Sequence, residues 1–227
     1  MPGGWAAGLD AAAVLGGQGV DASTSSPRIL PLLDAAAQVL QEGLPLLAPA
    51  VALRVVDIAG FEGSDVLLAV GPRIRSPFVS ARLAGAGRVA CAVCTIGWAV
   101  ERRVSQLVRA DPVIGLAWDG LGTAAVDLLA RVVCRQVADD AHRRGERATC
   151  AIHPGMVDWA LGEAQELIFG VVQPEPDVVR LSESGQMLPC KSLSFVVGTG
   201  PHVDERDTGC AVCEAAPRCH WRRRRAS

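Results

Sequence analysis

Apolar residues in the first third of the chain follow a helical period and then a strand-like pattern. In segment 30–40 they recur at helical spacing, with Pro27 before the run and Gly43 after it, which predicts one helix. Segments 51–58 and 66–70 are short and rich in branched aliphatic residues, and a turn-like stretch separates them. Both segments are therefore expected to be strands, and a hairpin is one way to join them.

Helical patterns dominate the middle of the chain. A short helix is predicted at 76–83 and a strand at 89–96, and the apolar residues of 100–108 then describe an amphipathic helix. A longer helix follows Asp111 and Pro112. Its apolar residues form one stripe, so that Asp127 is expected on the less apolar side.

Strand patterns return in the last third of the chain. A helix is predicted at 155–169, strands at 178–181 and 193–197, and a polar loop at 198–207. Strands at both ends with helices between them indicate a mixed α+β fold with a mostly antiparallel sheet, not a doubly wound nucleotide-binding fold.

The chain is accordingly divided into three parts. Residues 1–28 are expected to be an irregular N-terminal segment, 29–200 an α+β domain, and 201–227 a cysteine-rich, basic tail.

Composition narrows the class of protein. The chain has 227 residues, half of them hydrophobic, and a formal net charge of -2, which excludes a disordered or collagen-like chain and argues against a nucleic-acid partner. The longest uninterrupted apolar stretch, 44–53, holds two prolines and is much shorter than a membrane helix. Residues 1–17 lack a basic leader, so we expect no membrane association and a cytoplasmic location.

Three cysteines near the C-terminus have the spacing of a metal site. Cys210, Cys213 and Cys219 form a C-x2-C-x5-C group, and thiols kept reduced in the cytoplasm more often bind metal than form disulfides. Cys190 is the expected fourth ligand, with His202 or His220 as alternates. An iron-sulfur cluster is predicted, with zinc as the alternative. The plainer interpretation is three free cysteines in a solvated tail.

A second C-x2-C pair has a different interpretation. Cys91 and Cys94 lie in the predicted strand 89–96, where residues three apart point to opposite faces of the sheet. They cannot chelate one ion from a continuous strand, so both are expected to be buried structural cysteines.

Several polar residues stand out as candidates for ligand binding. Asp119, Asp127 and Glu183 are carboxylates in otherwise apolar surroundings, and His153 precedes a Pro-Gly turn. Each could hold a polar ligand, yet each is equally typical of a solvated charge, a helix cap or an ordinary turn.

Four short motifs, taken in order, resemble the activation domain of vitamin B12-dependent methionine synthase. The similarity is greatest to short standalone members of that family, which often end in a cysteine-rich tail, and it covers about residues 50–220. The motifs are Cys94-Thr95-Ile96-Gly97 with Glu101, the stretch from Asp119 to Asp127, His153-Pro154-Gly155 with Asp158-Trp159, and the stretch from Leu181 to Ser194.

The resemblance implies a fold and a role. The family domain is a C-shaped α+β domain around a twisted, mostly antiparallel sheet with flanking helices. It binds S-adenosylmethionine and caps a cobalamin domain, so that cob(II)alamin can be reduced and remethylated. Transferred by motif, Asp127 and Gly155 take the places of residues that contact S-adenosylmethionine, with Glu183 expected at the same cleft.

Two positions depart from the family pattern. Ala151 and Met156 stand where the family usually has an arginine and a tyrosine. Loss of a charge-assisted contact costs about 1.5–3 kcal/mol, so weakened S-adenosylmethionine binding is predicted.

By this resemblance the chain is expected to be a component of a cobalamin (corrinoid)-dependent methyl-transfer system, and whether it is itself an enzyme stays open. The expected partners are a corrinoid-binding protein or methyltransferase and an electron donor. Cobalamin is expected on the partner protein. The alternative is a noncatalytic metal-binding module that docks on a corrinoid protein or another partner.

Overall fold

The computed structural model describes residues 4–22 and 29–205. Six helices and eight strands lie in these ranges, together with 3₁₀ turns at Trp5–Gly8 and Leu44–Leu46. The helices are α1 (Ala11–Gly17), α2 (Ile29–Gly43), α3 (Pro77–Arg82), α4 (Ala99–Leu107), α5 (Pro112–His142) and α6 (Leu161–Val172). The strands are β1 (Ala50–Glu62), β2 (Asp65–Leu68), β3 (Arg73–Arg75), β4 (Arg88–Thr95), β5 (Arg147–Ala148), β6 (Arg180–Leu181), β7 (Met187–Leu188) and β8 (Ser192–Gly200).

Six of the strands form one antiparallel sheet in the order β3-β2-β1-β4-β8-β5. The register of β1 against β2 shifts between Ile58 and Gly60, and such irregularities bend a strand and increase its twist. The sheet curls into a half-barrel with flanking helices, which confirms the predicted α+β fold class. Strands β6 and β7 form a separate hairpin.

The long helix α5 covers one face of the central strands. Trp118, Leu121 and Leu129 on α5 are buried in one core with Cys94 and Phe195 of the sheet. Helices α1, α2 and α4 pack around α5.

The contact between α1 and α5 depends on glycine. A Cβ atom on Gly17 would lie 2.2 Å from the carbonyl oxygen of Gly120, so no larger residue fits at this point without moving the backbone. The close approach buries the short helix α1, whose Val14 and Leu15 are fully inaccessible.

A second core lies on the other face of the sheet, beneath α3 and α6. It includes Ile74, Trp159 and Ile168, together with Cys91 of β4. Cys91 and Cys94 therefore point to opposite faces, as predicted for two residues three apart on a strand. Burial raises the pKa of each thiol to about 12, so both stay protonated.

Helix α5 is long and apolar enough, on length and composition alone, to cross a membrane. However, 67% of its most apolar 18-residue window is buried inside the protein. That burial is typical of the central helix of a packed domain.

The structure corrects three sequence predictions. Helix α6 begins at Leu161, not at 155, and the predicted strand at 178–181 is reduced to Arg180–Leu181. Strand β8 continues to Gly200, into the predicted polar loop, because Thr199 pairs with Arg88 of β4.

The N-terminal segment also differs from the expectation of an irregular chain. Helix α1 lies within 1–28, and the side chain of Asp10 caps it by accepting a hydrogen bond from the Ala13 N–H at 2.6 Å. The division into parts at residues 28 and 200 stays a prediction.

Candidate functional site

Lys191 connects the start of β8 to one face of α5. Its ammonium group lies 2.7 Å from the carboxylate of Asp119 and donates to the Thr123 hydroxyl at 3.0 Å. The aliphatic part of Lys191 packs over Gly122, where a Cβ atom would lie 2.9 Å from the Lys191 Cγ. Two of the four sequence motifs therefore meet at this contact.

A third motif joins through Glu101 on α4. Its carboxylate accepts a hydrogen bond from the backbone N–H of Cys190 at 2.7 Å. The thiol of Cys190 is exposed and accepts from the Gln186 amide at 3.4 Å. Desolvation and the neighbouring Glu101 carboxylate raise the pKa of Cys190, although Lys191 opposes the shift, and the thiol form is favoured. We call Glu101, Asp119, Thr123, Cys190 and Lys191 the motif junction.

The His-Pro-Gly turn is attached to the same strand further along. His153 Nδ1 lies 3.2 Å from the carbonyl oxygen of Ser194, and its ring lies 5.7 Å from that of Phe195. Ser194 is three residues beyond Lys191, or about 10 Å along an extended strand. The motif junction therefore lies at the start of β8, and the turn that carries Gly155 contacts the same strand three residues further along.

Gly155 occupies a conformation that suits glycine. Its φ is +83°, and its N–H donates to the Trp159 carbonyl oxygen at 2.9 Å, closing a turn before α6. The residue is exposed, and a Cβ atom would find its nearest neighbour, Leu161, 3.8 Å away. Its backbone is therefore accessible to a ligand.

Asp127 and Glu183 occupy different elements. Asp127 lies one helical turn beyond Thr123 on the same side of α5 and pairs with Arg131 at 2.8 Å. Glu183 is exposed, in the turn between β6 and β7. Within the described ranges, no hydrogen bond or ion pair connects Asp127, Gly155 and Glu183, and their convergence on one cleft stays a prediction.

Ala151 and Met156, the two residues that depart from the family pattern, are partly buried. Ala151 packs against the α5 core and Met156 against the core beneath α6. The Met156 sulfur also accepts from the His153 N–H at 3.3 Å. Ala151 cannot replace the guanidinium of the family's arginine, and Met156 cannot replace the phenol of its tyrosine. The Met156 side chain packs against apolar neighbours instead.

Asp158, another motif residue, has a structural role. Its carboxylate accepts from the Ser76 hydroxyl at 2.5 Å and from the Phe78 N–H at 3.3 Å, at the start of α3. The turn before α6 is thereby attached to a helix 80 residues away in sequence.

The predicted metal ligands Cys210, Cys213 and Cys219, and the alternate His220, lie outside the described residues. In the part of the chain that the structure describes, no group of three potential metal ligands occurs. The alternate His202 lines a cavity of about 240 Å³ with Arg82 and Asp204. The metal site stays a prediction.

Two larger cavities were not anticipated from the sequence. One, of about 480 Å³, lies at the start of α4 and is lined by Trp98, Arg102 and Asp177. The other, of about 690 Å³, lies between the turn Trp5–Gly8 and α5. Their linings come from segments distant in sequence, so no local motif indicates them.

The motif junction was also missed, although one signal pointed to it. The chain contains a single lysine, and this lysine follows the Pro-Cys pair of a motif. It is also the one Lys or Arg between Arg180 and Arg206, and a long cation at the start of an apolar strand is a candidate partner for a helix carboxylate, here Asp119.

Comparison with known proteins identifies a structural neighbour. No protein-family model and no curated protein matches the sequence. Among solved structures, the chain is similar to the MetH reactivation domain in its complex with AdoHcy, with a TM-score of 0.62 and 13% sequence identity. The match covers 86% of this chain and 75% of that domain. At this identity the similarity establishes a shared fold.

Proposed function

We propose that this chain is a component of a corrinoid-dependent methyl-transfer system, in which it supports the reductive reactivation or methylation of cobalamin held by a partner protein. The observation that carries the proposal is the shared fold with the MetH reactivation domain over 86% of the chain. The order of the four sequence motifs supports the same role.

The motif junction supports the same function. Glu101, the Asp119 to Thr123 turn of α5, and Cys190-Lys191 come from three motifs and are joined by hydrogen bonds and an ion pair. These contacts hold the β6–β7 hairpin, which carries Glu183, beside α4 and α5. A ligand site shared by Asp127, Gly155 and Glu183 would be supported by this frame.

The proposed ligand is an adenosyl compound with an amino-acid group, by analogy with the AdoHcy of the related structure. Asp127 and Glu183 would bind its polar groups and the exposed backbone of Gly155 would lie against it. S-Adenosylmethionine, when bound, supplies a methyl group from its sulfonium. The interior positions of Ala151 and Met156 support weak binding, because the family's arginine and tyrosine contacts have no replacement at those two positions.

Titration with AdoHcy tests the ligand site. We expect weak binding, and Asp127→Asn should reduce it about 10-fold or more, as expected for the loss of a charge-assisted contact. Asp139→Asn, further along α5, is the matched control and should leave the affinity unchanged. Equal affinities of the wild type and the Asp127 variant would exclude the proposed site.

The role itself is tested with the cobalamin-binding domain of a methionine synthase loaded with cob(II)alamin. Given S-adenosylmethionine and a chemical reductant, that domain should be methylated faster when this chain is present, as followed by the visible spectrum of the corrinoid. An unchanged rate, with no complex detected by size-exclusion chromatography, would contradict the role.

The second candidate is a noncatalytic metal-binding module that docks on a corrinoid protein or another partner. The inward orientation of Met156 favours this alternative, because it removes a ligand contact that the activating role uses. Formation of a complex with the corrinoid domain, with no change in the methylation rate, would support it.

A further inference from the structure

The cavity at the start of α4 has the size of a site for a small molecule. Its volume of about 480 Å³ falls within the range of about 300–1,000 Å³ that is typical of such sites. It lies between the chain before β1, the end of β4, the start of α4 and the turn before β6. Asp127, Gly155 and Glu183 do not line it, so it is separate from the proposed adenosyl site.

Backbone contacts fix the wall that is formed by the end of β4 and the chain before β1. The Ala48 N–H donates to the Ile96 carbonyl oxygen at 3.0 Å, and Gly97 has a φ of +82°. A Cβ atom on Gly97 would lie 2.9 Å from the Ala48 Cβ, so glycine allows the two segments to touch. This wall therefore keeps its shape without a ligand.

The turn before β6, which forms the opposite wall, is also held in place. The Val179 N–H donates to the Glu175 carbonyl oxygen at 3.1 Å, and the Val179 side chain is buried in the second core. The Arg180 guanidinium carbon lies 5.7 Å from the ring centre of Trp98, and this contact attaches the start of β6 to the start of α4. Together these contacts define the position of Asp177 in the turn.

Two side chains of opposite charge line the cavity. Arg102 lies on the first turn of α4 and Asp177 lies in the turn before β6, and both are exposed. Within residues 4–22 and 29–205 neither side chain has an ion-pair partner, and the two do not pair with each other. One cation and one anion are therefore available to a ligand at the same site.

Most of the remaining lining is apolar. Pro49 and Trp98 are half-buried, and Val178 is 39% exposed. Thr95 also lines the cavity, but it is 1% exposed and its Oγ1 accepts a hydrogen bond from the Gly97 N–H at 3.2 Å. The cavity thus offers a ligand an apolar surface, one cation and one anion.

This combination selects among classes of ligand. A free α-amino acid with an apolar side chain presents a carboxylate for a guanidinium, an ammonium group for a carboxylate, and an apolar group for the remaining surface. The C-terminal residue of a peptide lacks the ammonium group, and the N-terminal residue lacks the carboxylate. A phosphate ester would place its negative charge near Asp177, which is unfavourable.

We propose that this cavity binds a free α-amino acid with an apolar side chain. Arg102 pairs with the carboxylate of the ligand and Asp177 with its ammonium group. The side chain of the ligand lies against Trp98, Pro49 and Val178. The site depends neither on a role with corrinoids nor on the adenosyl site.

Three matched ligands test the site: L-phenylalanine, N-acetyl-L-phenylalanine, which lacks the ammonium group, and L-phenylalaninamide, which lacks the carboxylate. NMR titration of the full-length, isotope-labelled chain with L-phenylalanine should shift the amide signals of Gly97 and Val178 and the indole signal of Trp98. It should bind about 3- to 10-fold more tightly than either blocked ligand, an effect between those of an exposed ion pair and a buried charge-assisted contact. Absence of shifts at these residues would overturn the proposal.

Two variants assign the contacts one by one. Arg102→Gln should weaken binding of L-phenylalanine and N-acetyl-L-phenylalanine about 3- to 10-fold without weakening that of L-phenylalaninamide. Asp177→Asn should weaken binding of L-phenylalanine and L-phenylalaninamide without weakening that of N-acetyl-L-phenylalanine. Arg109→Gln and Glu166→Gln are matched controls, because both residues are exposed and neither lines the cavity. They should leave all three affinities unchanged.

Two outcomes would contradict the amino-acid ligand. Equal binding of L-phenylalanine and N-acetyl-L-phenylalanine would mean that the site takes the C-terminal residue of a peptide. Equal effects of Arg102→Gln and Asp177→Asn on all three ligands would show that the two side chains do not make the assigned contacts.

AdoHcy distinguishes this site from the site of the proposed function. Asp127→Asn should leave the affinity for L-phenylalanine unchanged, and Arg102→Gln should leave the affinity for AdoHcy unchanged. If Arg102→Gln weakened AdoHcy binding as much as Asp127→Asn does, the cavity would belong to the adenosyl site, and a separate amino-acid site would be excluded.

Discussion

At the scale of single residues, Gly122 is the position where the motif junction tolerates no side chain. A Cβ atom there would lie 2.9 Å from the Lys191 Cγ and 3.0 Å from the Val100 Cγ1. Both neighbours are confined, Lys191 by its ion pair and Val100 by complete burial. Glycine at this position therefore permits α4, α5 and the start of β8 to approach one another.

Gly122→Ala should lower the free energy of unfolding by about 1–3 kcal/mol, the usual cost of overpacking a well-packed site. Chemical denaturation measures the effect. Gly170→Ala is the control, since an added Cβ atom on the exposed Gly170 of α6 meets no neighbour. That substitution should be neutral or stabilising by up to about 1 kcal/mol, because alanine is the better helix former.

Glu146 makes stability dependent on pH. Desolvation opposes its ionisation, but hydrogen bonds and charges from Arg88 and Arg144 outweigh that effect and lower the pKa of Glu146 below its ordinary value of 4.5. The unfolded chain then binds a proton more readily than the folded one. The contribution of this carboxylate to stability is complete above about pH 4.5 and is lost as the pH falls through the lower, folded-state pKa.

Unfolding midpoints measured between pH 6 and pH 3 should decline less steeply for Glu146→Gln than for the wild type, roughly over the range in which carboxylates titrate. Glu175→Gln, at an exposed turn, serves as the comparison. Parallel declines for the wild type and Glu146→Gln would show that this ion pair has no influence on acid stability.

At the scale of elements, the strongest sequence patterns were also the most reliable. Strand β4 is buried on both faces and reads as a continuous apolar run, and α5 has a long apolar stripe after Asp111-Pro112. Both were predicted from the sequence. Strands β3 and β5, of three and two residues, were not, because so short a segment carries no measurable period.

The start of α6 was misplaced for a local reason. Pro154-Gly155 resembles a helix start, yet the residues up to Trp159 form a turn that the Gly155 N–H closes. The contacts of the candidate site escaped sequence reasoning for a different reason. Lys191 and Asp119 are 72 positions apart, and their pairing depends on how β8 packs on α5, which no local pattern contains.

Helix α3 depends on a residue outside it. Asp158→Ala removes the acceptor for the Ser76 hydroxyl and the Phe78 N–H, and Ser76 is fully buried. We expect a loss of about 1–2 kcal/mol in the free energy of unfolding, as for other helix-start contacts. Asp177→Ala, an exposed carboxylate in a turn, should have almost no effect. If the two variants were equally stable, Asp158 would not be needed to hold α3.

At the scale of the whole molecule, metal content separates the two proposed functions. Anaerobically purified protein should contain iron and sulfide, with broad visible absorption, if the tail supplies thiolates to a cluster. Joint replacement of Cys210, Cys213 and Cys219 by alanine should remove the metal, while Cys91→Ala should not, because Cys91 is buried in the core. Stoichiometric zinc without colour would favour the docking module, and full metal retention in the triple variant would eliminate the site.

The single lysine has a practical consequence for labelling chemistry. The Lys191 side chain is 18% exposed and its ammonium group is shared between Asp119 and Thr123, so acylating reagents should modify it slowly while the junction is closed. Fast acylation requires the Lys191 side chain to leave Asp119 and Thr123, which opens the motif junction, and no other side-chain amine competes for the reagent. The rate at which one nitrogen is acylated would therefore report the opening of this part of the fold, without any engineered probe.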